Sequence, residues 1–203
     1  MNKINVIYKD RKTIENECFD WANDIGTNYK PDIVVFIAKS GFLFARPIAT
    51  FFGCPIVDIT ISRPGNNKKN ILKKILPWLP RFVIGNMLKM KINYLYNDRN
   101  NEREAVVGRK FLDINWEKYK NVLLVDDSAD TGWSLLKAKE IVEKNAGNVN
   151  VKTMCYCVMD FCSEKIHVDY YKYRNTIVLT ATSRYSKEYP KYVEELSEWQ
   201  NRS

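Results

Sequence analysis

Apolar positions recur along the chain with two periods, and the change from one to the other outlines the elements. Ile14, Cys18, Trp21, Ala22 and Ile25 stand three or four residues apart, the spacing of one face of an amphipathic helix. Residues 32–61 then read as strand, helix and strand. An unbroken apolar run from Ile33 to Ile37 ends in a turn of small residues, a helical stretch covers Phe42 to Phe52, and a second strand runs from Pro55 to Ile61. Another run, Val122 to Val125, leads into Asp126 and Asp127, a turn at Thr131-Gly132 and an amphipathic helix reaching residue 146. Strands at 149–158 and 175–181 and a polar C-terminal helix near 187–200 complete the pattern. Strands alternating with helices predict an α/β fold with a mostly parallel sheet covered by helices on both faces.

The stretch between Arg63 and Ala105 breaks the alternation. Ile71, Leu72, Ile75, Leu76 and Leu79 form one face of a helix whose other side carries lysines, and Phe82, Ile84, Met87, Leu88 and Leu95 suggest a second helix after Pro80. Tyr96 to Lys110 reads as a mobile loop, with Arg99, Arg103, Arg109 and Lys110 available to close over a ligand. Ten basic residues against three acidic ones place nearly all of the formal net charge of +8 between Arg63 and Ala105. Three partners suit such an insertion. A cap on the sheet with a role toward the acceptor substrate ranks first, peripheral contact of 66–95 with an anionic membrane second, and nucleic acid last.

Composition narrows the class. With 203 residues and 45% hydrophobic content, one domain over 1–203 can bury a full core. The N-terminus lacks the apolar core of a signal peptide and no apolar run is long enough to span a bilayer, so a cytoplasmic protein is expected, with the inner membrane face as a variant the basic insertion allows. Five cysteines without a C-x-x-C pair argue against a disulfide framework or a zinc site, and His167 is isolated. Neither G-x-x-x-x-G-K-[ST] nor G-x-G-x-x-G occurs, which speaks against a P-loop nucleotidase or a dinucleotide-binding domain.

Asn121 to Leu135, NVLLVDDSADTGWSL, concentrates the chemistry. The turn from Ser128 to Ser134 leads into a helix N-terminus, where unpaired amides and the helix dipole favour an anion such as a phosphate monoester, with Thr131 and Ser134 adding hydroxyls. Asp126 and Asp127 can accept hydrogen bonds from vicinal hydroxyls or hold a hard cation. Asp130 is placed to take a proton from an incoming nucleophile. Adjacent acids after a buried strand are also common in parallel α/β proteins as helix caps or general magnesium ligands.

The string VLLVDDSADTG, Val122 to Gly132, resembles the signature of type I phosphoribosyltransferases, which use 5-phosphoribosyl-1-pyrophosphate (PRPP). The resemblance implies that Asp126 and Asp127 bind the ribose hydroxyls and hold Mg²⁺, directly or through the substrate. Ser128, Ala129, Asp130, Thr131, Gly132, Trp133 and Ser134 would surround the 5'-phosphate, with Asp130 as the base. Trp133 stands where the family often has a smaller or basic residue, and Ser134 where threonine is usual. Asp32 to Gly41 resembles the family's pyrophosphate loop, which assigns Ala38, Lys39, Ser40 and Gly41 to the leaving pyrophosphate and implies a strained Ala38-Lys39 peptide. Arg63, at a strand end, joins them. The insertion, about 62–110, falls where the family carries a variable hood.

Acceptor residues are expected at Trp78, Arg81, Arg99, Arg103, Met159 and Tyr185. The 6-oxopurine branch reads its base with a lysine and an aromatic residue, and this sequence has Met159 and Thr176 at those positions. The favoured expectation is therefore PRPP-dependent transfer of a 5-phosphoribosyl group, with inversion, to a sugar hydroxyl of a bacterial glycan. The alternative is purine or other nucleobase salvage, and a PRPP-binding regulator that contacts nucleic acid is a third reading. A homodimer is compatible with each.

Overall fold

The computed structural model describes residues 4–62, 78–97 and 103–202. The elements in order are β1 (Asn5–Tyr8), α1 (Arg11–Gly26), β2 (Ile33–Ala38), α2 (Phe42–Phe52), β3 (Ile56–Ser62), α3 (Arg81–Asn97), β4 (Glu104–Val107), α4 (Arg109–Leu112), β5 (Asn121–Ala129), α5 (Trp133–Ala146), β6 (Asn150–Val158), β7 (Tyr170–Arg174), β8 (Thr176–Leu179) and α6 (Tyr189–Asn201). Six strands form the main sheet in the order β4-β3-β2-β5-β6-β7, parallel except where β4 runs against β3.

Alternation along the central strands assigns the two faces. Val34 and Phe36 of β2 and Leu123 and Val125 of β5 pack with Ile14, Cys18, Ala22 and Ile25 of α1, with α2, and with Tyr192 and Leu196 of α6. Their neighbours Ile33, Val35, Val122 and Leu124 pack on the other face with Leu135, Ala138 and Val142 of α5. Side chains of successive strand residues project to opposite faces, so strands apolar at every position demand helices on both sides. Burying one such aliphatic side chain contributes about 1.5–3 kcal/mol. Entry into α1 is set by Asp10, whose Oδ1 accepts from Thr13 N at 2.9 Å.

Several expectations are corrected here. Tyr96 to Lys110 is not one loop, because Glu104–Val107 pairs antiparallel with β3 and Arg109–Leu112 is helical. Lys110 is docked rather than available for closure: its Nζ donates to Trp199 O at 2.9 Å and lies 4.3 Å over the Trp199 ring. The strand expected at 175–181 leaves the main sheet. At Asn175, with φ of 50°, the chain turns from β7 into β8, which pairs with β1 as a separate parallel ribbon. The N-terminal β1 and the edge strand β7 have no counterpart in the sequence reading.

The helix expected over 71–79 lies mainly outside the described residues, as do Arg63 and Arg99. Within the expected hood, α3 is present after Pro80 and packs on the β1–β8 ribbon. Ile92 joins Ile4, Met159 and Ile177 in a small apolar cluster, and Gly85 sits where an added Cβ would lie 3.7 Å from Val6 Cγ2. None of the helices searched among the described residues is long and apolar enough to cross a membrane.

Candidate functional site

The site grows from the point where two neighbouring strands part. β2 and β5 remain in register up to Phe36 and Val125, after which β2 turns into residues 38–41 while β5 continues beside β6 alone. Gly41 is wedged between the two ends. A Cβ there would lie 2.8 Å from both Ile37 O and Val125 O, so only hydrogen fits between the backbones. The Ala38-Lys39 peptide, for which the resemblance implied strain, is cis. Tyr192 Oη of α6 donates to Lys39 O at 2.5 Å and holds this turn from behind.

The reading that ends the β5 strand at Val125 is too short. The ladder to β6 runs on to Ala129, so Asp126 and Asp127 sit on the strand itself, beyond its separation from β2. That position buries Asp126 and half-buries Asp127. Asp126 is 7% exposed and its Oδ1 accepts from Asp127 N at 2.8 Å. Burial pushes the Asp126 carboxyl well above the usual carboxylate range, and the neighbouring Asp127 charge adds to the effect. Burial raises Asp127 as well, against which hydrogen bonds with Asp126 and Ser40 act to lower it. Ser40 thus connects the two predicted loops side chain to side chain.

Gly132 then takes a left-handed conformation, φ 78°, as the residue before α5. A side chain there would meet Ile166 Cγ2 at 2.9 Å and Cys162 Sγ at 3.0 Å. Leu136 N donates to Gly132 O at 2.9 Å, the start of the helical ladder, so the first amides of α5 have no partner within the helix, the arrangement that favours an anion at a helix N-terminus. Trp133 opens α5, with Lys165 Nζ 5.5 Å from its ring centre.

Asp127, Ser128 and Asp130 share a cavity of about 530 Å³ with Met159, Thr176 and Tyr185. Leu88, Lys91 and Ile92 of α3 form its opposite wall. A neighbouring cavity of about 670 Å³ contains Trp78 and Arg81 and shares Leu179, Thr180 and Tyr185 with the first. The predicted acceptor residues therefore separate: Met159 and Tyr185 stand beside the aspartates, Trp78 and Arg81 one cavity away, with Arg81 stacked 4.6 Å over the Tyr8 ring. Arg103 precedes β4 at the far edge of the sheet and is not among the residues lining either cavity.

Apart from Tyr185, sequence reasoning missed the segment after β8. Thr180, Thr182, Ser183 and Arg184 line the cavity, with the hydroxyls of Thr180 and Thr182 2.9 Å apart. A hydroxyl-rich run directly after a strand was the available signal, the same one that marks the main motif. Tyr192 was missed because nothing in a polar C-terminal helix announces a hydrogen bond to a distant turn.

The donor set fits a magnesium ion held in part by the substrate. Burial raises the proton affinity of both carboxyls, and the Asp127 charge raises that of Asp126 further, a penalty a dication would relieve, yet no group of three acidic, histidine or cysteine ligands occurs among the described residues. Most ligand oxygens would then belong to a phosphorylated sugar.

Comparison with known proteins agrees with this geometry. The family described as "Phosphoribosyl transferase domain" matches residues 7–186. An adenine phosphoribosyltransferase from Prochlorococcus marinus (strain NATL1A) is 31% identical over 146 residues, covering 72% of this chain and 69% of that protein. Among solved structures, a hypothetical protein from Neisseria gonorrhoeae with bound ppGpp superimposes with a TM-score of 0.63 at 15% identity, covering 98% of this chain and 99% of that one. A purine phosphoribosyltransferase from Pyrococcus horikoshii Ot3 gives 0.58 at 19% identity, covering 86% and 92%.

These relatives overturn the expectation of a glycan hydroxyl as acceptor, since the similar sequences are named for a purine base. The inference had rested on Met159 and Thr176 replacing the readers of a 6-oxopurine. Their loss removes a reader of the 6-oxo group but does not by itself call for a sugar. With the family spanning most of its length and the two strand-end loops assembled around the aspartates, the chain belongs to the type I phosphoribosyltransferases.

Proposed function

We propose that the protein transfers the 5-phosphoribosyl group of PRPP to a ring nitrogen of a purine base, adenine first among them, releasing pyrophosphate with inversion at C1 of the ribose. The observation that carries this reading is the single cavity in which Asp127 and Asp130 meet an apolar wall built from the packed side chains of Ile92 of α3, Met159 and Ile177. Met159, 2% exposed at the position of the family's oxygen-reading lysine, offers no donor to a 6-oxo group. A buried group left without its partner costs about 1–3 kcal/mol, so an acceptor without that oxygen is preferred.

In this reaction the amides of the Thr131–Ser134 turn hold the 5'-phosphate, and Asp126 and Asp127 accept from the ribose hydroxyls. The turn at Lys39-Ser40-Gly41 receives the pyrophosphate. The purine nitrogen attacks C1 from the face opposite the departing pyrophosphate, and Asp130 takes the proton released from that nitrogen. Phosphoribosyltransferases generally use Mg²⁺ with PRPP; Asp126 and Asp127 would hold it, where it offsets the charge of the phosphates.

Incubation with PRPP and Mg²⁺ and, in turn, adenine, hypoxanthine, guanine and xanthine tests the reading. Mass spectrometry should detect adenosine monophosphate and stoichiometric pyrophosphate. Absence of a nucleotide from every purine, with PRPP bound, rejects the purine acceptor.

A further inference from the structure

The outward side of α3 bears a concentration of exposed apolar groups that the transfer reaction does not use. Its inner side is buried: Ile84 is 3% and Ile92 4% exposed. Phe82 is 72% exposed, Met90 72%, Tyr94 69% and Met87 41%. At about 3.6 residues per turn these four fall on one arc of the helix, with Lys89 beyond one border and Lys91 beyond the other. Trp78, 75% exposed, precedes the helix with Lys187 Nζ 4.5 Å from its ring centre. Single exposed apolar side chains are ordinary on a protein surface, but four on one arc are not.

Charge identifies the occupant. From residue 63 to residue 97 the sequence contains eight lysines and arginines and no aspartate or glutamate, an excess equal to the whole formal net charge of +8. Pairing α3 with α3 of a second copy would set Arg81, Lys89 and Lys91 against the same residues with no acid on the helix to oppose them. Nucleic acid would need cations across the face, whereas Phe82, Met90 and Tyr94, with the exposed Asn86 among them, occupy it. A bilayer with anionic headgroups answers both features. Aromatic and thioether side chains enter the boundary between headgroups and acyl chains, while flanking lysines extend their stems along it and keep their ammonium groups among the phosphates.

We infer that α3 is a peripheral docking surface for an anionic lipid bilayer, lying flat on it through Phe82, Met87, Met90 and Tyr94 with Lys89 and Lys91 at the borders. The inner side of the same helix lines the cavity beside Asp127 and Asp130 through Leu88 and Ile92, so a docked protein has its acceptor cavity directly beneath the helix that touches lipid. Docking is independent of which acceptor the enzyme uses and is read without any substrate.

The test is flotation of the purified protein with vesicles of phosphatidylcholine alone and of phosphatidylcholine mixed with phosphatidylglycerol. Binding is expected only to the mixed vesicles and should weaken as salt is raised. The double variant Phe82→Ser, Met90→Ser should lose about tenfold in vesicle affinity while its phosphoribosyl transfer in solution stays unchanged. If that variant is misfolded by circular dichroism, Lys89→Glu takes its place with the same expected loss. Failure of the wild-type protein to float with the mixed vesicles, or equal flotation of wild type and variant, overturns the proposal. A wild-type dimer that becomes monomeric in the variant, with no lipid binding, assigns the face to a second copy instead.

Discussion

Tyr192 Oη lies 2.5 Å from Lys39 O, so a side chain from the last helix of the chain holds the turn after β2 that is proposed to receive pyrophosphate. The phenol is 1% exposed, and burial pushes its pKa well above the ordinary tyrosine value, keeping it a neutral donor. The other end of α6 is tied as well, by Gln200 donating to Asp58 Oδ2 at 2.7 Å. Tyr192→Phe removes the hydroxyl without changing the ring. Stability should fall by about 1–2 kcal/mol, and the KM for PRPP should rise several-fold while kcat changes less. Denaturant unfolding and a PRPP titration measure both. An unaltered KM would assign the contact to stability alone.

Asp130→Asn keeps shape and hydrogen bonding in the main-motif turn but loses the proton acceptor. Binding of PRPP should stay near the wild-type value while turnover drops at least about tenfold. Calorimetry with PRPP and Mg²⁺ and steady-state kinetics separate the two quantities. Wild-type turnover in this variant would remove Asp130 from the mechanism.

Gly41→Ala places a methyl group 2.8 Å from two carbonyl oxygens, both part of the backbone and unable to swing aside. The ends of β2 and β5 must then separate, at a cost of about 1–3 kcal/mol, and the relation between the two loops is lost. A lowered melting temperature together with a large loss of PRPP affinity is the expected result. Full retention of affinity would show that the loops adjust independently of one another.

Asp169 provides a pH-dependent contribution away from the site. Its carboxylate accepts from Thr153 N, Thr153 Oγ1 and Lys152 Nζ, each at 2.8 Å. Burial acts to raise its pKa, but these hydrogen bonds outweigh it and the group stays below the ordinary aspartate value. A lowered folded-state pKa means that the stabilisation is present above the unfolded value of about 3.9 and is lost as pH falls through the folded one. Asp169→Asn should therefore cost about 1–2 kcal/mol at neutral pH, with the difference from wild type shrinking below about pH 4. Thermal melts at several pH values read this directly. A difference that grows on acidification would reverse the assignment.

The sequence by itself determined the elements whose pattern is local and strong. Ile14 to Ile25 could bury its apolar positions only as a helix, and the unbroken apolar runs Ile33 to Ile37 and Val122 to Val125 marked strands covered on both faces. The turn at Thr131-Gly132 and the start of α5 were legible for the same reason, since small residues followed by an amphipathic period mark a helix start, whereas the strand proved to run past Asp126 and Asp127 to Ala129. What required the tertiary structure depends on partners distant in sequence. β7 is a polar edge strand, recognisable only beside β6, and β8 declares itself part of a separate ribbon only once β1 is found across from it. Burial of Asp126, the cavity wall supplied by α3, the hold of Tyr192 on Lys39 and the wedge of Gly41 between two strand ends all arise from contacts that no local period encodes. Acceptor choice belongs with them. It turns on which side chains face one another across the cavity: the absence of the 6-oxopurine readers at Met159 and Thr176 had pointed to a sugar, whereas the similar sequences are named for adenine.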